Sequence, residues 1–314
     1  MRTFFARKQR NGRGFLRVNV VLLFVVPLLC LSQTQITLKN SFIQKYMNRV
    51  TMDISFIVDH AGERAKSISK GSLDGDLHIA GRAKEAGLPM VAEIMNAREE
   101  KPAMDLVHSV EGTTKTIKIT GAWRLWCEHA GKSKQVQGKT VAKPKDTNPA
   151  HAFEIHPITQ IENINLLNSL KVIPGYEAKD AETAFTQFNK KKFEIIYDGK
   201  KRTTTIITKQ IGYNYVEFVM ELVDERQDEV EDGRFVYANV LSLNRKLLAE
   251  EVRMVFVKDS EPENKVKGKR DGDTLHVLGI PRINLEEVWA RVQDAKPEAL
   301  KENLPFEMII VGVY

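Results

Sequence analysis

The chain has 314 residues, of which 42% are hydrophobic and 28% charged, with a formal net charge of +6 and a sequence pI near 9.1. That length accommodates two domains, and the apolar fraction excludes a chain too polar to build a core. The basic balance does not imply a nucleic-acid surface, because Arg2, Arg7, Lys8, Arg10, Arg13 and Arg17 carry the whole excess and leave 41 basic and 41 acidic residues behind them.

Residues 1–32 have the parts of an export signal: a basic start, an apolar run from Val18 to Leu31, and small residues placed for cleavage after Ser32. The run is shorter than a spanning helix and contains Pro27, so a retained signal anchor is the second reading. The expected location is periplasmic or extracellular, with membrane contact through an uncleaved leader only. Without the leader, Cys127 is the single cysteine, and its apolar strand neighbours make it a small buried hydrophobe rather than a nucleophile.

Residues 33–50 lead into a strand at Met52–Val58, followed by a possible helical turn at 63–70. An Asp-Gly turn at 74–75 precedes alternating Leu77, Ile79 and Gly81, and Leu88–Met95 gives another strand. A polar, Pro-containing loop is expected at 96–103. Thr116–Glu128 alternates cleanly: Ile117, Ile119, Trp123, Leu125 and Cys127 fall on one face, and Lys118, Thr120, Arg124, Trp126 and Glu128 on the other. A Lys/Gly/Pro-rich loop at 131–149 separates it from the strand 151–161. Residues 162–185 read as a joint with short helices. Three strands, 191–199, 201–212 and 213–224, then read as a meander, with an acidic solvated loop at 224–232. Two more strands, a loop at 259–270, the strand from Asp271, a helix at 285–292 and a closing strand at 306–314 complete the chain. Asp271–His276 echoes Asp74–His78, which suggests either duplication or shared turn chemistry.

The pattern I-T-G-A-W-R-L-W followed by H-x-F-E-I-H-P-I-T-x-I (151–161) resembles a recurring one in uncharacterised exported bacterial proteins with OB-like barrels. The resemblance implies a fold and no activity. Together with the strand count, it gives a mainly β chain with minor α: two OB-like small β-barrels in tandem, 33–161 and 186–314, joined by 162–185. Gly81 or Gly121 would serve a strongly bent barrel strand.

No G-x-S-x-G, phosphate loop, H-E-x-x-H or paired-cysteine spacing is present, so no catalytic residue, metal ligand set or cofactor is assigned. His129, His151 and His156 with Glu128 and Glu154 invite a metal reading, but histidines bonded to backbone or carboxylate are the plainer one. Asp74, Asp76 and Arg82 could be arranged as in a nuclease or as ordinary turn chemistry. Aromatics on polar strand faces mark the expected ligand surface: Trp126 with Arg124 and Lys118, and a second row of Tyr213 and Tyr215. The expected function is a binding or structural module taking a protein or glycan, with nucleic acid excluded as a main partner. A hydrolase of phosphodiester or glycan bonds is the alternative.

Overall fold

A computed structural model of the chain describes residues 33–69, 73–294 and 300–314, so the expected export signal and its expected cleavage position lie outside the described residues. The chain from Ser32 to Tyr314 is one compact unit. In order it forms β1 (Gln33–Lys39), α1 (Asn40–Tyr46), β2 (Thr51–Ala61), the short pair β3 (Ile68–Ser69) and β4 (Leu73–Asp74), β5 (Leu77–Ala83), β6 (Met90–Ile94), α2 (Lys101–Val110) and β7 (Thr116–Leu125). Then come β8 (Lys134–Val136), β9 (Phe153–Ile161), β10 (Ile164–Asn165), β11 (Lys179–Asp180), α3 (Ala181–Lys190), β12 (Lys192–Asp198) and β13 (Thr203–Lys209). The last part is β14 (Val216–Val230), β15 (Gly233–Leu241), β16 (Leu247–Val257), α4 (Glu261–Val266), β17 (Thr274–Ile283), α5 (Leu285–Asp294), β18 (Leu300–Asn303) and β19 (Phe306–Val313).

Two five-stranded barrels follow from the pairings. In the first, β2 pairs with β5, β5 with β6, β6 in parallel with β9, and β9 and β2 both with β7. In the second, β14, β15, β16, β19 and β17 close by the same rule, with β16 and β19 parallel. This is the 1-2-3-5-4 order of an OB barrel, and each has a helix, α2 or α4, between its third and fourth strands. Alternation builds the interiors: Ile54, Phe56, Leu77, Ile79, Ala92, Ile94, Ile117, Ile119 and Ile155 are buried in the first. Closure needs sharp bends, and glycine supplies them. A Cβ on Gly81 would stand 2.2 Å from the Ile57 carbonyl oxygen, and one on Gly121 2.6 Å from that of Pro157.

Several expectations are corrected. Residues 101–110 form α2, with Pro102 in the first turn where its missing N–H costs nothing. Residues 259–270 contain α4, whose Ser260 hydroxyl accepts from the Glu263 N–H while Glu263 accepts from the Asp259 N–H, a reciprocal cap. Residues 224–230 continue β14 instead of looping out. Residues 63–67 form no helical turn. The meander also fails: β12 and β13 pair with each other, but β13 then pairs with β1, not β14. They belong to a third, open sheet ordered β18-β12-β13-β1-β8.

The barrels lie wall against wall. Val50, Met95 and Ala122 of the first meet Phe235, Val255, Leu278 and Ile309 of the second in one apolar cluster. Arg282 crosses this seam fully buried, donating to Glu307 and to the carbonyls of Val50 and Trp123, with its guanidinium 3.7 Å from the Trp123 ring centre.

Candidate functional site

Polar residues collect where the sealed outer wall of the first barrel meets the second. His78 on β5 lies opposite Glu93 on β6, and Glu154 on β9 lies opposite Arg124 on β7. Their strand neighbours Leu77, Ala92, Ile94 and Ile155 fill the barrel interior, so these four point outward. His156, two positions after Glu154, joins the same face. Asp76 enters from the tight turn before β5, where Gly75 takes φ 80° and Asp74 accepts the Asp76 N–H. Tyr215, leading into the second barrel, closes the cluster from above.

The contacts are direct. His156 Nε2 lies 3.1 Å from Asp76 Oδ2 and 2.9 Å from the Tyr215 hydroxyl, which itself donates to Asp76 Oδ2 at 2.6 Å. Arg124 donates to Glu154 at 2.6 Å and to Glu128 at 3.1 Å, and His151 Nε2 meets Glu154 Oε1 at 3.0 Å. His78 Nε2 stands 3.0 Å from Glu93 Oε2, with Lys66 against the same ring. Asp76, Glu93, Arg124, Glu154, His156 and Tyr215 are none more than 1% exposed.

Such burial shifts every group, and its direct effect is to disfavour charge. Burial and then Asp74 push Asp76 up to about 6. Burial pulls His156 down, but Glu93, Asp76 and Glu154 outweigh it and raise it to about 10. Burial also raises Glu93 and Glu154, yet His78 and His156 hold the first far below the usual carboxylate range, and Arg124 with His151 does the same for the second. The Tyr215 phenol is lifted well above its ordinary value by burial and Asp76. A sealed set of charges of this kind locks a geometry or holds an ion; a substrate bond does not reach it.

The five expected ligand residues do not share a face. Arg124 and Tyr215 are in the sealed cluster. Trp126 is fully buried, its Nε1 donating to the Gly212 carbonyl at 3.2 Å and its ring edge-on to Phe188. Strand β7 ends at Leu125, so alternation no longer applies at Trp126, and Gly212 and Phe188 lie against its ring. Tyr213 is half-buried, accepting from Gln187 at 2.6 Å with Lys179 over its ring. Lys118 alone is exposed, on the opposite wall. The nuclease arrangement dissolves as well: Arg82 makes a fork onto Asp59, at 2.7 and 2.9 Å, and leaves Asp76 to His156.

That opposite wall, β7–β2–β5, is open. Ser55, Ile57, Arg82, Lys84 and Thr116 line a groove of about 710 Å³, roofed by 138–141 from the loop between β7 and β9. It continues past Glu85 and Gly87 into a further 310 Å³ beside Lys39, Phe42, Lys45 and Tyr46. A larger cleft of about 850 Å³ lies against the third sheet among Lys190, Lys191, Lys192 and Lys209. Two of its ammoniums are spent on joining elements, Lys191 to the Gln210 carbonyl and Lys192 to Asn303.

No family model matches the chain, and no curated protein matches it. A solved structure described as "Structural mimicry for functional antagonism" is 11% identical, over 82% of this chain and 87% of the other, with a TM-score of 0.19. No helix among the described residues is long and apolar enough to cross a membrane.

Proposed function

We propose that the chain is an exported binding module that takes an extended, acidic protein segment along the open wall of its first barrel. The carrying observation is the division of that barrel's outer surface. One wall is sealed by the second barrel, while β7–β2–β5 keeps a continuous groove under the 138–141 loop. Strand faces and the loop between the fourth and fifth strands are where OB barrels take ligands. Lys39, Lys45, Lys84 and Lys139 line it against one acid, Glu85, and Lys118 stands beside Ser55 in the strand register. Complementary charge steers association and selects partners. The seal over the acids and histidines favours binding over the hydrolase alternative, since a substrate would have to part the two barrels to reach them. The basic start and apolar run within residues 1–32, the composition expected of an export signal, support an extracytoplasmic site of action.

Selection of peptides from a displayed random library tests this reading. Enriched sequences should be acidic, bind more weakly as salt rises, and lose about tenfold or more in affinity to Lys84→Glu or Ile57→Asp, as for loss of one good contact. Selected peptides indifferent to both variants would refute the groove. A glycan array positive where peptides fail would reassign the ligand class, and tight oligonucleotide binding falling steeply with salt would overturn the reading altogether.

A further inference from the structure

We infer that the sealed cluster between the barrels is a divalent metal site, held by His156 Nδ1, Glu93 Oε2 and Glu154 Oε2. The argument starts from hydrogen-bond supply. The one proton of the Tyr215 hydroxyl goes to Asp76 Oδ2, so His156 Nε2, facing both of these oxygens, must be the donor there. His156 Nδ1 therefore turns the other way, into a space edged by Glu93 Oε2 at 3.8 Å and Glu154 Oε2 at 3.7 Å. Both separations are too long for a hydrogen bond. Nδ1 accordingly has no hydrogen-bond partner although it is fully buried, and orphaned buried polar atoms are rare enough to need a cause.

A metal ion supplies that cause. Donors about 2.1 Å from zinc, at angles between tetrahedral and trigonal, stand roughly 3.4–3.7 Å apart, and the two separations from His156 Nδ1, 3.8 Å to Glu93 and 3.7 Å to Glu154, match this to within about a tenth of an ångström. Asp76, Glu93 and His156 also bring donor atoms within 4.8 Å of one another. Asp76 on the far nitrogen of His156 is then the carboxylate that orients a ligating imidazole, itself held by Tyr215. Arg124 plays the corresponding part for Glu154, and His78 Nε2, 3.0 Å from Glu93 Oε2, is the nearest further nitrogen. Charge is compatible: ligation takes the place of a proton on the His156 imidazole, so the ion adds one net positive charge among three buried carboxylates, Arg124 and Lys66. One imidazole with two carboxylates suits a borderline ion such as Zn²⁺ over Ca²⁺ or Mg²⁺. Because Tyr215 belongs to the second barrel's approach, the ion would fasten the two barrels together without taking part in any reaction.

Refolding the full chain from denaturant with Zn²⁺ or with chelator, followed by desalting and elemental analysis, tests the site. The expected result is about one retained equivalent of zinc, a higher Tm than the chelated protein, and an X-ray absorption edge fitted by nitrogen and oxygen alone. Cobalt in place of zinc should give visible d–d bands. Glu93→Gln should abolish retention, and Asp76→Asn, a positioning change, should weaken it about 10- to 100-fold. Should Glu93→Gln fail to fold, the zinc content and Tm difference of the unsubstituted chain still decide. Folded protein with no retained zinc and no response to chelator would overturn the site, as would undiminished retention in a folded Glu93→Gln.

Discussion

Replacing Arg282 by alanine should come close to parting the two barrels. The guanidinium donates to Glu307 Oε1 at 2.5 Å, to the Trp123 carbonyl at 3.0 Å and to the Val50 carbonyl at 3.2 Å, and covers the Trp123 ring. Glu307 would keep Arg253, at 2.5 Å, so its charge is not stranded. The Arg49 carbonyl would keep the Trp123 indole N–H. Two carbonyls remain without a donor, each costing ~1–3 kcal/mol when buried, and the stacking adds ~1–2 kcal/mol. Recovered desolvation of the guanidinium offsets part of this, leaving ~3–5 kcal/mol, the usual cost of breaking a buried pair. Against a total stability of ~5–15 kcal/mol that is a large fraction. Urea denaturation followed by tryptophan fluorescence reads it, since Trp123 lies directly beneath the lost group. Glu307→Gln should cost more, because it leaves Arg253 and Arg282 both buried without their shared carboxylate. A loss under about 1 kcal/mol for Arg282→Ala would refute the accounting, as would Glu307→Gln being the milder change.

Three further outcomes are expected. Trp126→Ala should destabilise by ~3–5 kcal/mol, about as much as Trp123→Ala, because both rings are fully buried; denaturant midpoints that differ widely would contradict this. Gly121→Ala should cost at least ~1–3 kcal/mol, since its Cβ would press on the main chain at Pro157 and Ile158, and a neutral thermal melt would count against the bend. Burial pushes the Cys127 thiol up to about 12 from 9, so the native state keeps a proton the unfolded chain releases. That contribution is whole below pH 9 and is lost as pH rises toward 12, at up to ~1.4 kcal/mol per unit. The stability difference between the unsubstituted chain and Cys127→Ala should therefore shrink across this window, and a flat difference would exclude the shift.

The barrels were legible because period-2 alternation survives wherever a strand has one face inward. Ile117 and Ile119, or Phe218 and Met220, announce their burial without reference to any partner. What the outward faces do is set by other parts of the chain. Lys118 and Arg124 lie on the same side of β7 in the alternation, yet one is in solvent and the other under the second barrel. Glu93, Glu154 and His156 carried a signal of a kind, being charged positions in strands otherwise apolar on both faces, but only the fold could say that they meet. Of the two readings of the Asp-Gly-Asp echo, the placement of the turns favours shared turn chemistry. The echo precedes the second strand of one barrel, β5, and the fourth of the other, β17, so it reflects a turn both needed and not descent from one repeat. The third sheet was invisible because none of its pairings beyond the β12–β13 hairpin joins neighbours in sequence.

That third sheet also dictates when the molecule can finish folding. Strand β1 finds its antiparallel partner only in residues 203–209, and its other neighbour, β8, interrupts the first barrel between that barrel's fourth and fifth strands. At a synthesis rate of ~5–20 residues per second, β1 must wait on the order of ten seconds or more for its partner to exist. During that interval β1 offers bare N–H and C=O groups to any passing chain. The closing strand of the sheet, β18, arrives later still, from within the second barrel. Folding rate should accordingly follow these long loop closures more than the local propensity of either barrel. A version of the chain with its first strand transplanted next to β13 would fold faster while keeping every pairing it has now.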